Sequence, residues 1–257
     1  MPWTDDDDSG FGDSQADYER ISIAGNTFDY PYLHGEAMLK AGHSFVSASK
    51  NAAIAKAMFD TKRYAAIDLI IGKNKLSKLG RLQPQRELSF KTFSPALQQA
   101  ITDYCKAGGS LFVSGAYLGT DLWRNPLSTP QQQDIDFAKH ILKYQLRNDK
   151  AAVTGRLSTI VSPLTNDVLT LDYAAKPNTR CYAVESPDAI EPADSCAYTA
   201  FRYPENNKSA GIVFGGNQTD LWRTVVLAVP FETIIESKER TKLMQMILNY
   251  LLQPSRF

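Results

Sequence analysis

Short apolar runs alternate with amphipathic stretches of helical spacing along the first half of the chain. The first unit is an apolar run at 20–26 followed by helical spacing at 32–42, and the same order recurs at 43–59, at 65–109 and, as far as its strand, at 110–115. Strands of a parallel sheet are buried on both faces by crossover helices, so they appear as continuous apolar runs. The pattern therefore predicts an α/β domain, a three-layer sandwich with a mostly parallel sheet.

The second half of the chain departs from this alternation. Residues 129–145 have amphipathic spacing and predict another helix. Between 150 and 206, short apolar pieces are separated by Pro, Asn and Asp, which predicts a small antiparallel extension without helices. Two buried strands and a closing amphipathic helix are then predicted at 209–216, 223–231 and 237–252.

Composition and charge narrow the class of protein. The 257 residues include 28 Lys+Arg and 28 Asp+Glu, which gives a formal net charge of zero. Without a basic field or a long apolar run, neither nucleic acid nor a membrane is expected as a partner. The length fits one domain, predicted over 19–257, with the Asp- and Gly-rich residues 1–18 as an irregular lead-in. No cofactor is expected.

Cysteines and acidic runs do not predict a metal site. The three cysteines form neither a C-x-x-C pair nor a Cys/His cluster, and Cys105 is interpreted as a packing residue. Cys181 and Cys196 lie in two segments that could pair as strands, which leaves one disulfide open. The run Asp5–Asp8 lacks the alternating ligand spacing of a calcium loop and is interpreted as a solvated acidic segment.

Candidate binding residues follow the predicted strands, because ligands of open α/β sheets bind beyond the carboxyl ends of the strands. The polar residues at these positions include Asn26, Asp29, His34, Lys73, Asp121 and Asn217. A repeated Thr-Asp-Leu-Trp places Trp123 and Trp222 on two loops of the same edge. These tryptophans are either a platform for sugar rings or two packing residues that join the loops. Asp68, inside an apolar run, is interpreted as a structural residue.

The sharpest local motif is Gly-Ala-Tyr-Leu-Gly at 115–119, directly after a predicted strand. A nucleophile elbow has this form, but a tyrosine with a pKa near 10 is a poor nucleophile there. Together with DLIIGKN and VPFETIIES, the block GGSLFVSGAYLGTDL resembles the class I glutamine amidotransferase-like family, which implies a flavodoxin-like fold. That family uses a cysteine at the elbow and a later His-x-Glu. Here Tyr117 replaces the cysteine and the histidine is missing, while Glu232 matches the glutamate, so the resemblance implies the fold without glutamine hydrolysis.

A narrower resemblance is carried by PWTDDDDSGFG, AGNTFDYPYLHG and PFETI. These segments resemble a domain of large secreted bacterial proteins labelled xanthan lyases. The resemblance implies a secreted, periplasmic or cell-surface location, other modules of a longer chain as partners, and carbohydrate as a candidate ligand. The expected function is a catalytically degenerate module with a binding or structural role. The alternative is an active polysaccharide lyase or hydrolase that uses Tyr117, His34 and a carboxylate such as Glu232.

Overall fold

The computed structural model describes residues 30–75, 77–79, 88–124, 129, 131–176 and 181–253. The predicted lead-in at 1–18, with its run Asp5–Asp8, lies outside these described residues. So do the predicted strand at 20–26 and two of the candidate binding residues, Asn26 and Asp29.

Helices and strands alternate irregularly along the described chain. The helices are α1 (Tyr30–Lys40), α2 (Lys50–Ala55), α3 (Pro95–Lys106), α4 (Leu118–Trp123), α5 (Gln132–Asp136) and α6 (Ser237–Leu251), with a π-helical turn at Phe137–Leu142 and a 3-10 turn at Phe231–Thr233. The strands are β1 (Ala66–Gly72), β2 (Ser77–Leu79), β3 (Leu88–Phe90), β4 (Ser110–Gly115), β5 (Tyr144–Asn148), β6 (Arg156–Thr159), β7 (Thr170–Asp172), β8 (Ala189–Pro192), β9 (Ala197–Arg202), β10 (Ser209–Phe214) and β11 (Arg223–Leu227).

Seven of these strands form one mixed, strongly curled sheet in the order β1-β4-β11-β10-β9-β6-β7. Strand β4 is parallel to both of its neighbours, β1 and β11. All the remaining pairings in this sheet are antiparallel. Two small antiparallel sheets, β2 with β3 and β5 with β8, complete the strand pairing.

The prediction of a mostly parallel three-layer sandwich of the amidotransferase-like type is wrong. The strands predicted as an extension at 150–206 add β6, β7 and β9 directly to the main sheet, and each pairs antiparallel. Strand β10 is buried throughout, yet it runs antiparallel to both of its neighbours. A continuous apolar run shows that both faces of a strand are covered, but it does not reveal the direction of the neighbouring strands.

Two further predicted elements, the strand at 43–49 and the helix at 129–145, differ from the structure. The predicted strand at 43–49 is a loop, whose Ser49 accepts a hydrogen bond from the Ala52 amide and caps α2. The ring of Phe45 from this loop lies against Gly35 of α1, where a Cβ atom would be only 2.1 Å from the ring. The predicted helix at 129–145 is instead α5 and the π-helical turn, followed by strand β5.

The predicted helix after Ser94 is confirmed, and its ends follow from local chemistry. Ser94 accepts a hydrogen bond from the Leu97 amide and Pro95 occupies the first helical position, where a missing N–H costs nothing. Gly108 takes a φ of +86° after the last turn, and the Gly109 amide donates to the Tyr104 carbonyl. This left-handed ending is one that glycine adopts without strain.

Apolar side chains pack on both faces of the central strands. Leu111 and Val113 of β4 face a core that includes α3, whereas Phe112 faces a second core that includes α6 and Ala37 of α1. Alternating side chains of one strand therefore serve two cores, which explains why β4 is buried without interruption. Helix α1 is thereby held over the sheet beside β1 and β4, and it brings a histidine to the sheet surface.

Candidate functional site

The ends of the parallel strands β1 and β4 form a tight turn region. The Ala116 amide, just after β4, donates to the carbonyl of Gly72 at the end of β1. A Cβ atom at Gly115 would lie 2.8 Å from the Ile71 side chain, so the two strand ends approach too closely for any larger residue. Tyr117 follows as the N-terminal flanking residue of α4.

The fully buried residue Asp188 is hydrogen-bonded to this turn. It accepts hydrogen bonds of 2.6 Å from both the amide and the hydroxyl of Thr120, and its own amide donates to the Ala116 carbonyl. Burial raises the pKa of Asp188 to about 7, although the hydrogen bonds from Thr120 and Gly119 act in the opposite direction. Asp188 therefore fixes the backbone that carries Tyr117.

Tyr117 is half-buried and lies among charged side chains. The Lys75 ammonium is 5.1 Å from the centroid of its ring, and the neighbouring Lys73 forms an ion pair of 3.2 Å with Glu185. Burial raises the pKa of the Tyr117 phenol, and the positive charge of Lys73 only partly opposes this effect. The phenol therefore stays protonated near neutral pH.

A second cluster, the histidine network, is formed by His34, Asp68, Glu232 and Tyr182. The Nδ1 atom of His34 is 2.6 Å from Asp68 Oδ2, and its Nε2 atom is 3.2 Å from Glu232 Oε2. The Tyr182 hydroxyl donates to Glu232 Oε1 at 2.8 Å. A Cβ atom at Gly72, which has a φ of +63°, would lie 3.2 Å from the Tyr182 hydroxyl oxygen, so glycine lets the strand end pass over the network.

The charge state of the histidine network follows from its hydrogen bonds. Two carboxylates flank the ring, so both ring nitrogens donate and His34 is an imidazolium. Burial by itself would lower the pKa of His34, but the charges and hydrogen bonds of Asp68 and Glu232 raise it to about 9. With only 1% of the residue exposed, His34 is a closed group that has no ring nitrogen left to exchange protons with a substrate.

The structure brings two of the three predicted catalytic residues together. His34 and Glu232 are in direct contact, although 198 residues separate them. Within the described part of the chain, no hydrogen bond joins Tyr117 to either of them. Asp68, which the sequence suggested was merely structural, is the closest partner of His34, and its position inside an apolar strand was the available signal. No sequence signal pointed to Tyr182.

The two tryptophans of the repeated motif both pack against the protein, but they differ in how deeply they are buried. Trp222 is 4% exposed and its indole N–H donates to the Ile141 carbonyl, so it offers no open face for a sugar. Trp123 is half-buried at the end of α4, with the Lys139 ammonium 5.1 Å from its ring. Both rings therefore pack on the segment around the π-helical turn, which favours the packing interpretation of the repeat.

The remaining predicted site residues lie in a turn and in a helix. The Asn217 side-chain oxygen accepts hydrogen bonds from the amides of Thr219 and Asp220, which closes an Asx-type turn. Asp121 is 6% exposed within α4.

The cysteines are free, so Cys181 and Cys196 do not form the disulfide that the sequence left open. Among the described residues, no group of His, Cys, Asp and Glu side chains has the arrangement of a metal site.

Two further searches of the described chain bear on ligands and partners. A cavity of about 370 Å³ lies elsewhere, next to Val46, Lys56 and Arg63. None of the described helices has the length and apolar character required to cross a bilayer.

Comparisons with known proteins give a likeness of fold. No family model and no curated protein matches the chain. Among solved structures, the chain is similar to exo-β-1,4-mannosidase Op5Man5 from Opitutaceae bacterium strain TAV5, with a TM-score of 0.51, 10% identity and 89% of this chain covered. The chain spans only 32% of that mannosidase, so part of a glycoside hydrolase shares this fold. A cytoplasmic protein of Salmonella typhimurium, STM3548, matches with a TM-score of 0.44 and 16% identity over 88% of this chain and 80% of its own.

Proposed function

We propose that this chain is a non-catalytic carbohydrate-binding module of a larger polysaccharide-processing protein. The closed histidine network carries the non-catalytic part of the proposal. His34 combines an imidazole with two carboxylates, which are the groups that general acid–base catalysis uses. Both of its nitrogens are occupied and the ring is buried, so it fastens α1 to the sheet instead of reaching a substrate.

The turn after β4 supports the same conclusion. A nucleophile elbow needs a side chain that is activated by an adjacent base. Tyr117 occupies that place with a raised pKa, and its charged neighbours in the described part of the chain are Lys73, Lys75, Glu185 and Asp188, without a histidine among them. The turn thus places a tyrosine where an elbow would hold its nucleophile, without the adjacent base that this chemistry needs.

The carbohydrate part of the proposal rests on the fold likeness. A domain of similar fold makes up about a third of a protein named as an exo-β-1,4-mannosidase, which is the arrangement expected of one module within a longer enzyme. The resemblance of the N-terminal and PFETI segments to secreted bacterial proteins supports a secreted or cell-surface location and companion modules in a longer chain.

The test measures polysaccharide binding and turnover on the same protein samples. Electrophoresis in gels that contain xanthan or mannan reports binding as retardation, and long incubations followed by assays of reducing ends and unsaturated uronates report cleavage. We expect retardation by at least one polysaccharide and no cleavage. Absence of retardation in every gel would refute the binding role.

A Tyr117→Phe variant separates the non-catalytic proposal from the enzymatic alternative. The substitution removes only the phenolic hydroxyl of a half-buried ring, so folding is expected to persist. Cleavage by the unmodified protein that disappears in this variant would establish a lyase or hydrolase and overturn the proposal.

A further inference from the structure

The cavity of about 370 Å³ lies before the start of β1, whereas Tyr117 follows the other end of the parallel strands. The loop before α2, α2 itself and the segment that leads into β1 form its walls. Its lining includes apolar Val46 and Met58, the aromatic residue Tyr64 and two cationic residues, Lys56 and Arg63. Small-molecule sites measure about 300–1,000 Å³, so the cavity has room for a small ligand group.

The positive charge of this lining is not neutralised by the described part of the chain. Lys56 and Arg63 form no ion pair and no side-chain hydrogen bond with any residue that the structure describes. None of the residues that line the cavity is Asp or Glu. Asp60, which lies between the two cations in sequence, accepts a hydrogen bond from the Lys62 amide and is not part of the lining. The cavity is therefore suited to a ligand that carries negative charge.

Hydrogen bonds hold the backbone of both cationic residues in place. The Lys56 amide donates to the Ala52 carbonyl at the end of α2. The amides of Arg63 and Tyr64 both donate to the Asp60 carbonyl. The two cations thus stand on ordered turns before a ligand arrives, which lowers the entropic cost of binding.

Tyr64 places an aromatic ring beside one of the two charges. The ring is half-buried, and the guanidinium carbon of Arg63 lies 5.6 Å from its centroid. A planar guanidinium can form two parallel hydrogen bonds with a carboxylate. An aromatic ring packs against the apolar face of a sugar. The combination suits a ligand in which a carboxylate is attached to a sugar ring.

We propose that this cavity binds an acidic sugar residue of the uronate type. Its carboxylate pairs with Lys56 and Arg63, and its ring packs against Tyr64. This inference rests on the proposed carbohydrate-binding function, and it gives that function a site and a chemical class of ligand.

The experiment is a calorimetric titration of the whole chain with three probes. Trigalacturonate carries both the sugar rings and the carboxylates, its methyl ester keeps the rings without the charge, and inorganic sulfate carries charge without a sugar. We expect trigalacturonate to bind about tenfold or more tightly than either other probe, the effect of losing a charge-assisted hydrogen bond. Added salt should weaken its binding because the contacts are ionic.

Single variants locate the site. Arg63→Ala is expected to raise the dissociation constant for trigalacturonate about tenfold, and Lys56→Ala should act in the same direction. Both residues are exposed, so folding is expected to persist. Lys62→Ala is the matched control, because Lys62 is an exposed cation next to Arg63 but outside the lining, and it should leave the dissociation constant nearly unchanged.

The outcomes separate this inference from the proposed function. Binding of trigalacturonate that Arg63→Ala and Lys56→Ala weaken, and Lys62→Ala does not, supports the site. Equal binding of the methyl ester or of sulfate overturns the recognition of an acidic sugar, and equal effects of all three variants overturn the cavity as its place. Failure of trigalacturonate to bind also overturns the inference, while the polysaccharide gels decide separately whether the carbohydrate-binding function stands.

Discussion

The histidine network and the Tyr117 edge both combine cationic, acidic and aromatic side chains, but they differ in how deeply these side chains are buried. In the histidine network, every ring nitrogen of His34 meets a carboxylate and the whole ring is buried. At the Tyr117 edge, Lys73 pairs with the half-exposed carboxylate of Glu185, Lys75 lies near the Tyr117 ring, and that ring is half-buried. The contrast shows that catalytic-type residues near a strand end reveal little about function until their hydrogen-bonding capacity is counted.

The largest expected effect is the loss of His34. His34→Ala leaves the buried carboxylate of Glu232 and the half-buried carboxylate of Asp68 without a cation between them, and removing one partner of such a cluster costs about 3–5 kcal/mol. Urea denaturation of the variant measures the change in the free energy of unfolding. His140→Ala, at an exposed position, is the control and should change it by less than about 0.5 kcal/mol. Equal, small effects of both substitutions would mean that the histidine network does not hold the fold.

Asp188 gives the next largest effect and depends on pH. Its pKa is raised from 3.8 to about 7, so the folded protein binds a proton there that the unfolded chain has released. The resulting stabilisation is complete below about pH 4 and is lost as the pH rises through 7, an effect of order 4 kcal/mol at most.

The Asp188→Asn variant measures this contribution. Asparagine keeps one acceptor for the Thr120 amide and carries no charge, so the difference in melting temperature between variant and unmodified protein should favour the variant increasingly from about pH 4 to about pH 7 and level off above that. A difference in melting temperature that stays constant over this range would mean that Asp188 does not titrate there. The carboxyl below the Tyr117 turn would then not have a raised pKa.

The smallest expected effect is the change in the free energy of unfolding caused by Lys75→Ala. Its contact with the Tyr117 ring is a partly exposed cation–π interaction, so Lys75→Ala should lower the free energy of unfolding by less than about 1 kcal/mol. The same denaturation experiment used for His34→Ala measures it. A loss as large as that of His34→Ala would show that Lys75 supports the fold, which would remove the distinction between the two regions.

Local signals in the sequence predicted the elements better than their arrangement. Ser94 followed by proline fixed the start of α3, and the apolar runs within β4 and β10 predicted buried strands. Direction and neighbours depend on contacts far apart in the chain, as between β4 and β11, which the apolar pattern does not encode. A parallel sheet was therefore inferred from burial that antiparallel strands also produce.

The candidate site was predicted in part for a related reason. His34 and Glu232 were both singled out, yet their direct contact comes from the packing of α1 against the 3-10 turn after β11. Asp68 was interpreted as structural because it lies inside an apolar strand, and that setting is also where an unexplained carboxylate needs a buried partner. Tyr182 follows no motif, so only the folded chain reveals it.

The protonation state of His34 tests the central claim most directly. Nitrogen-15 NMR of the ring, recorded between about pH 6 and about pH 10, reports whether each nitrogen carries a proton. We expect both nitrogens to remain protonated at pH 7 and the ring to titrate near 9, because Asp68 and Glu232 hold the imidazolium. A ring that is neutral at pH 7 and titrates near the ordinary value of 6.5 would mean that the network is open and that His34 is free for acid–base chemistry.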